Sequence, residues 1–370
     1  MNYFYDKKLN PLLKWPGGKS EDLSHLRNDF GYLFPEKIRN YYEPFLGGGA
    51  FWLSLSTEQM FVNDLCEEVI FFYETIRDQN IEFIEFIRKM SENWSFLSGI
   101  GRCKYAELYM SSDEERSAVL ETYRMSLEDT FFVSEFKNKY FDTLISSLSS
   151  KIKNIRKVEE RKGKLSEEDF SQNIRGALKA GFYTIVREIY NERKQMDCLK
   201  VACFYFLREY CFSSMFRYNS KGGFNVPYGG ISYNDRSPAA RMKYWQNDEL
   251  VKHLSATKFF KEDFEVFLRR MKPTGDDFVF VDPPYDSEFS TYAKNVFGQQ
   301  EQKRLANYLV NECEAKFLAI MRNTDFIRGL YDGNNGIQCL TFDKTYAVSF
   351  KNRNEKGVEH LIVARTGEKS

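Results

Sequence analysis

The chain has 370 residues, and its 53 Lys and Arg balance its 53 Asp and Glu, so any surface that binds a polyanion is local rather than global. That length suits one large domain or two ordinary ones with a sizeable core. No apolar run is long enough to span a membrane, and the amino terminus lacks the charged-then-apolar layout of a signal peptide, which points to a soluble, cytoplasmic protein. Seven cysteines without a C-x-x-C and three scattered histidines argue against a zinc site or disulfide framework, and no metal is expected.

In chain order, Lys14-Trp15-Pro16-Gly17-Gly18-Lys19 comes first. Its glycines permit close backbone approach, Trp15 offers a flat face and the lysines offer charge. The stretch reads either as a loop covering a ligand or as a surface turn before a helix over 21–27. Next, Tyr41-Tyr42-Glu43 predicts a first strand, Gly47-Gly48-Gly49 its sharp turn, and 50–56 the start of a helix. Strand, glycine turn and helix in this order form a nucleotide-type site, where side chains would block the ligand. The spacing is not G-x-G-x-x-G, which favours a smaller adenosyl ligand over a dinucleotide. Phe61-Val62-Asn63-Asp64 predicts a second strand followed by a helix over 66–77. Asp64 stands where a doubly wound fold holds ribose hydroxyls. It is equally placed to cap that helix, with Glu67 completing a capping box.

From about 79 to 215, apolar residues recur at helical spacing, among them Ile81, Ile84 and Ile87, then Leu199, Cys203, Phe206 and Tyr210. A mostly helical inserted domain is predicted. Between Lys151 and Lys200, thirteen Lys and Arg face eight Asp and Glu, a net of about +5. That excess fits a phosphate-tracking face and fits solvated helix surface equally well. The following stretch, Phe216-Arg217-Tyr218-Asn219-Ser220-Lys221-Gly222-Gly223-Phe224-Asn225-Val226-Pro227-Tyr228-Gly229, interleaves donors and aromatics with glycines. It reads as a loop for base-edge and phosphate contacts or as a plain hairpin with Gly-Gly at its tip.

The sheet pattern then resumes. A strand is predicted over 257–260, with Asp263 placed to accept from an adenine amino group or to cap a helix over 264–271. Val279-Phe280-Val281 is a buried-strand signature that ends on Asp282-Pro283-Pro284-Tyr285. The two prolines hold their φ near −65° and lack N–H groups, so the chain leaves in a stiff loop. One carboxylate, free carbonyls and an aromatic face then stand at the carboxyl end of a strand, where open α/β sheets bind ligands. An exocyclic amine on a base needs such a set. Beyond it come an aromatic-bearing loop over 289–297, a helix over 299–314, a strand over 316–321 and a short helix over 324–331. The last two predicted strands, 346–350 and 360–364, flank a basic turn with Lys351, Arg353 and Lys356.

Lys-Trp-Pro-Gly-Gly-Lys, Glu-Pro-Phe-Leu-Gly-Gly-Gly, Asn-Asp, the Phe-Arg-Tyr-Asn loop and Asp-Pro-Pro-Tyr lie in a fixed order. In this the chain resembles the Dam-like DNA adenine-N6 methyltransferases of the alpha-ordered group, over roughly 10–75 and 212–365. The resemblance implies an α/β fold, a Rossmann-like S-adenosylmethionine-dependent methyltransferase sheet. Its domains would be a discontinuous catalytic one (1–76 and 236–370) and an inserted helical target-recognition domain (77–235). It implies that Trp15, Gly18 and Lys19 belong to the cofactor loop, and that Glu43, Phe45, Gly47 and Gly49 form the turn under the methionine part. Asp64 would take the ribose hydroxyls, Asp263 with Phe264 the cofactor adenine. Asp282, which also borders the cofactor, and the Pro283 carbonyl would hold the target amine, with Pro284 stiffening the loop and Tyr285 stacked on the base. Lys14, Arg217, Asn219, Lys221, Asn225 and Tyr228 resemble DNA-contacting positions.

The implied partner is double-stranded DNA, with the adenine flipped out of the duplex. The expected protein is a bacterial or phage monomer, a possible companion to a restriction endonuclease. Two other readings stand beside it: a methyltransferase acting on RNA or a protein amide, and a catalytically idle DNA-binding protein on the same fold. Intact Asp282, Tyr285 and Gly47–Gly49 argue against the idle protein.

Overall fold

The structure is a computed structural model that describes Phe4 and residues 9–15, 22–215, 217–284, 297–344 and 358–367. The chain divides into two compact units, one of Met1–Glu74 with Asp248–Ser370, the other Thr75–Asn247. The second boundary falls at Asn247 rather than at Asp235. Trp245 is the reason: its ring packs against Phe83 and Tyr205, both in the helical unit, at centroid distances of 5.5 and 5.2 Å.

The first unit is built on seven strands: β1 (Asn40–Glu43), β2 (Gln59–Asn63), β3 (Thr257–Phe260), β4 (Phe278–Val281), β5 (Lys316–Arg322), β6 (Gln338–Lys344) and β7 (Val358–Arg365). They form one sheet in the order β3-β2-β1-β4-β5-β7-β6. The first five are mutually parallel, and β7 runs antiparallel between β5 and β6. From β1 the chain winds outward to β2 and β3, then returns to place β4 on the other side of β1. The winding therefore reverses between β1 and β4, and the crevice outside their carboxyl ends is the ligand position of a doubly wound sheet.

All four residues of β4 are buried, as a central parallel strand covered on both faces requires. Phe280 lies flat on Phe51 at 3.8 Å between centroids. Val279 and Val281 point into the opposite core with Phe267, Leu268, Leu305 and Phe317. β3 and the helix Phe264–Met271 begin and end where the sequence predicts them.

Three segments differ from expectation. Residues 50–56 form only a single 3-10 turn, Trp52–Ser54, and no α-helix. Phe51, Trp52, Leu53 and Leu55 are all buried, so the segment has no polar side to give to solvent. The Trp52 indole N–H donates to the Thr257 hydroxyl at 3.1 Å, which anchors the turn instead. The predicted helix over 299–314 is an α-helix only over Gln299–Asn307 and closes in a π-turn, Tyr308–Glu312. β6 was not expected, and the predicted strand over 346–350 lies outside the described residues, as do the basic turn and most of the aromatic loop.

The helical unit packs four long helices, Ile81–Cys103, Lys137–Lys162, Glu167–Glu192 and Cys198–Tyr210. Asn80, Ser166 and Asp197 cap three of them by accepting backbone N–H bonds. Trp94, Tyr140, Phe182, Phe206 and Tyr210 form an aromatic core. Truncating one such ring to alanine costs about 3–5 kcal/mol. Gly181 and Gly101 each mark a close helix approach: a Cβ there would lie 3.0 Å from the Cα of Leu144 and of Arg175, respectively. Among the described residues, no helix is long and apolar enough to cross a membrane.

Candidate active site

The turn after β1 is held from three sides. Gly47 and Gly49 have φ of +48° and +63°, a region L side chains adopt at a cost. A Cβ on Gly47 would fall 2.7 Å from the Trp15 indole nitrogen, so the indole lies on this turn. The Leu46 N–H donates to the Asn63 carbonyl at 2.9 Å. Asp64 then accepts the Gly47 N–H on one carboxylate oxygen and the Cys66 N–H on the other, both at 2.8 Å. The acid thus ties the β1 turn to the β2 exit and shapes the entry to the helix Glu67–Arg77. Burial pushes its carboxyl up to about 6, against the pull of the two N–H donors and with the help of Glu68. Each oxygen keeps a lone pair, enough to accept from a vicinal diol.

Glu43, which ends β1, lies beneath this turn at 3% exposure. The Tyr41 hydroxyl donates to it at 2.7 Å and the Trp52 backbone N–H donates as well. Burial raises its carboxyl well above the usual range, opposed by these donors and reinforced by the charges of Asp282 and Asp64. Asp282 is therefore electrostatically coupled to the floor of the turn. It is half-buried at the end of β4, Pro283 is buried and Pro284 exposed. Tyr285, Gly18 and Lys19 lie outside the described residues. Lys14 is half-buried in the same unit.

At the β3 exit, Asp263 caps the helix Phe264–Met271 by accepting the Glu265 N–H at 3.0 Å. Arg304 grips the same carboxylate from the helix Gln299–Asn307, at 2.6 and 3.2 Å, and donates to Glu265 at 2.7 Å. Beside this fork, Phe45, Phe264 and Phe297 form a triangle of rings with centroids 5.3–5.7 Å apart. A flat apolar wall next to a fixed carboxylate suits an adenine ring with its amino group.

Two residues of this site have roles that a sequence reading does not show. Asn63 donates to the Pro44 and Glu262 carbonyls, each at 3.0 Å, and accepts the Glu262 N–H at 2.9 Å. It joins the exits of β1, β2 and β3 in one buried node. Arg304 lies 41 positions from Asp263. The only trace of it is the pair of acids, Asp263 and Glu265, that open a helix.

In the helical unit, the Arg217–Tyr228 segment is a hairpin. Tyr218 and Phe224 pair across it, and the Asn219 side chain accepts the Lys221 and Gly223 N–H groups, both at 3.0 Å. Arg217 reaches Asn225 at 3.4 Å. Asn191 clamps the backbone of Phe224, and the Tyr183 hydroxyl donates to the Val226 carbonyl at 2.8 Å. Asn219 thus shapes the hairpin, whereas Arg217 and Lys221 are exposed, and the Tyr228 hydroxyl meets the Asn234 side chain at 3.1 Å. Among the described residues, no three His, Cys, Asp or Glu side chains are grouped to hold a metal.

The sheet with its switch point between β1 and β4, flanked by a glycine turn and a carboxylate–proline exit, defines a Rossmann-like methyltransferase fold. A family model for D12 class N6 adenine-specific DNA methyltransferases matches residues 15–98 and 135–348, and the chain belongs to that family. The type II methyltransferase M.CviBI of Paramecium bursaria Chlorella virus NC1A is 39% identical over 142 residues, 38% of this chain and 51% of that enzyme. The match thus spans about half of the viral protein. M.MjaIII of Methanocaldococcus jannaschii is 26% identical over 344 residues, covering 89% of this chain and 90% of its own length. The DNA adenine methylase of Haemophilus influenzae is 23% identical over 337 residues, 88% of this chain and 84% of its own.

Proposed function

We propose that the chain methylates adenine N6 at a specific site in double-stranded DNA with S-adenosylmethionine, the first unit acting as catalytic domain and the helical unit as target-recognition domain. The observation that carries this reading is the placement of the glycine turn and Asp282 at the exits of β1 and β4, on either side of the switch point. The donor set fits the cofactor: Asp64 for the ribose diol, Asp263 with the Phe45–Phe264–Phe297 wall for its adenine. When bound there, S-adenosylmethionine supplies the methyl group from its sulfonium.

The protein's own part is positioning and electrostatics. Adenine N6 is a poor nucleophile because its lone pair is delocalised into the ring. Asp282 and the Pro283 carbonyl accept its two N–H bonds, which favours a tetrahedral nitrogen and localises the pair toward the methyl. Tyr285 stacks on the base, offsetting the few kcal/mol or so that flipping costs. The Asp282 carboxylate stabilises the positive charge that develops on nitrogen and stands to accept the proton that N6 sheds once methylated, so no covalent enzyme intermediate is needed. Arg217 and Lys221, both exposed, face outward for DNA. Relatives that carry type II names support pairing with a restriction endonuclease, and we take the enzyme to act as a monomer in the cytoplasm.

Sequencing methylated DNA from cells expressing the protein tests this reading and yields the site. N6-methyladenine at one short motif, absent with Asp282→Ala, is expected. Methylation of RNA or protein in place of DNA would overturn it.

A further inference from the structure

The helix Glu167–Glu192 sets Gln172, Arg175 and Lys179 at spacings of three and four, on one face. All three reach Asn234–Asp235, the segment just beyond the hairpin. Asn234 is 1% exposed, and its amide donates to both the backbone and side-chain oxygens of Gln172 at 3.0 Å. Its side-chain oxygen meets the Tyr228 hydroxyl, and its carbonyl accepts from the Lys179 amine. Arg175 pairs with Asp235. Lys179 itself is 1% exposed, with its nitrogen 4.4 Å from the centre of the Trp94 ring.

A buried amine is costly unless it is hydrogen-bonded and paired, here by the Asn234 carbonyl and the Trp94 ring. Burial, helped by the charges of Arg175 and Arg102 and opposed by Asp235, lowers the Lys179 amine to about 7. Its hydrogen bond and the two that Gln172 accepts converge on Asn234, the residue that fixes the Tyr228 hydroxyl. The far end of the hairpin is held separately, by Asn191.

We infer that Lys179 and Asn234 are positioning residues that set the pose of the Arg217–Tyr228 hairpin and so the stringency with which it discriminates DNA sequences. This rests on the reading of that hairpin as the DNA-reading element. Base-edge hydrogen bonds are lost by small displacements, whereas phosphate contacts tolerate them. A loosened hairpin therefore loses discrimination before it loses total DNA affinity, and chemistry in the other unit is untouched.

The test compares kcat/KM on a duplex carrying the methylated motif with that on duplexes changed at one base pair, using the full-length enzyme. Lys179→Met is expected to lower this ratio about tenfold through KM on the cognate duplex, with kcat at saturating DNA unchanged. Lys179→Arg, which can still donate to the Asn234 carbonyl, is expected to restore much of it. Gln172→Ala, at a half-buried position, is expected to move the ratio the same way by less. Unchanged ratios in Gln172→Ala and in folded Lys179→Met, with discrimination lost in Arg217→Ala, would overturn the bracing role alone. An unchanged ratio in Arg217→Ala as well would overturn the hairpin's role in reading DNA, and the bracing role with it.

Discussion

The Gly47 N–H donates to Asp64 at 2.8 Å, so the glycine turn after β1 and the acid after β2 are one mechanical object. Asp64→Ala is expected to weaken cofactor binding with little direct effect on DNA affinity. The pH dependence has a defined sign. Its carboxyl titrates at about 6 in the folded chain against an ordinary 3.8, so its contribution to stability is full below 3.8 and is lost as pH rises through 6. Cofactor binding runs the other way, since an ionised carboxylate accepts diol hydrogen bonds better. Calorimetric titration with S-adenosylhomocysteine at pH 5 and pH 7 should show several-fold tighter binding at pH 7. Asp64→Asn should remove that difference; an unchanged difference assigns it to another group.

Asp282→Ala is expected to leave cofactor and DNA binding largely intact and to abolish turnover, because the acceptor acts mainly as the amine pyramidalises. A single-turnover assay near the wild-type rate would remove Asp282 from the mechanism.

Arg304 holds Asp263 in a fork that a lysine cannot reproduce. The pair is about a third exposed, so Arg304→Leu and Arg304→Lys should each cost only about 0.2–1 kcal/mol of stability. The KM for S-adenosylmethionine should rise in both, more in the leucine variant, while kcat changes little. A fall in kcat with KM unchanged would place Arg304 in the chemistry instead.

Gly47→Ala combines a backbone strain of about 1–2 kcal/mol with a contact against the Trp15 indole. Thermal unfolding should show a clear loss, and cofactor affinity should fall with it. Trp15→Ala in the same chain relieves the steric part only. Full recovery of stability in the double variant would mean that φ at Gly47 carries no strain.

Arg217 either reads a base or anchors a phosphate. We expect Arg217→Ala to cost about 1–3 kcal/mol on the cognate duplex and to relax preference at one position. Equal losses on cognate and scrambled duplexes across a salt series, with the slope reduced by roughly one, would leave it a backbone anchor.

Elements whose signals are local were legible in the sequence. β3 announces itself by a threonine and two phenylalanines in four residues, the helix Phe264–Met271 by a capping Asp263 and an amphipathic repeat, and β4 by four apolar residues before Asp282 and two prolines. The helix expected over 50–56 failed because Phe51, Trp52, Leu53 and Leu55 are claimed by tertiary burial, which overrides the local preference. β6 alternates weakly and gains its strand state from pairing with β7. The site was legible where acids and glycines stand at strand exits. Asn63, Arg304 and Lys179 act across long sequence separations, and neither periodicity nor spacing marks such partners.

The sheet order also governs the newborn chain. Synthesis delivers β1 and β2 early, yet their outer partners, β4 and β3, lie beyond Asn247. Until those emerge, the pair exposes two unsatisfied edges and the stacked rings of Tyr42 and Phe61. The helices between meet near neighbours in sequence, such as Lys137–Lys162 against Glu167–Glu192, and close sooner. Limited proteolysis of ribosome-held chains halted after Asn247 should cut 1–74 well before the helices. A polypeptide cut short there carries the hairpin but lacks Asp282, so on the proposed reading it is expected to hold DNA without methylating it.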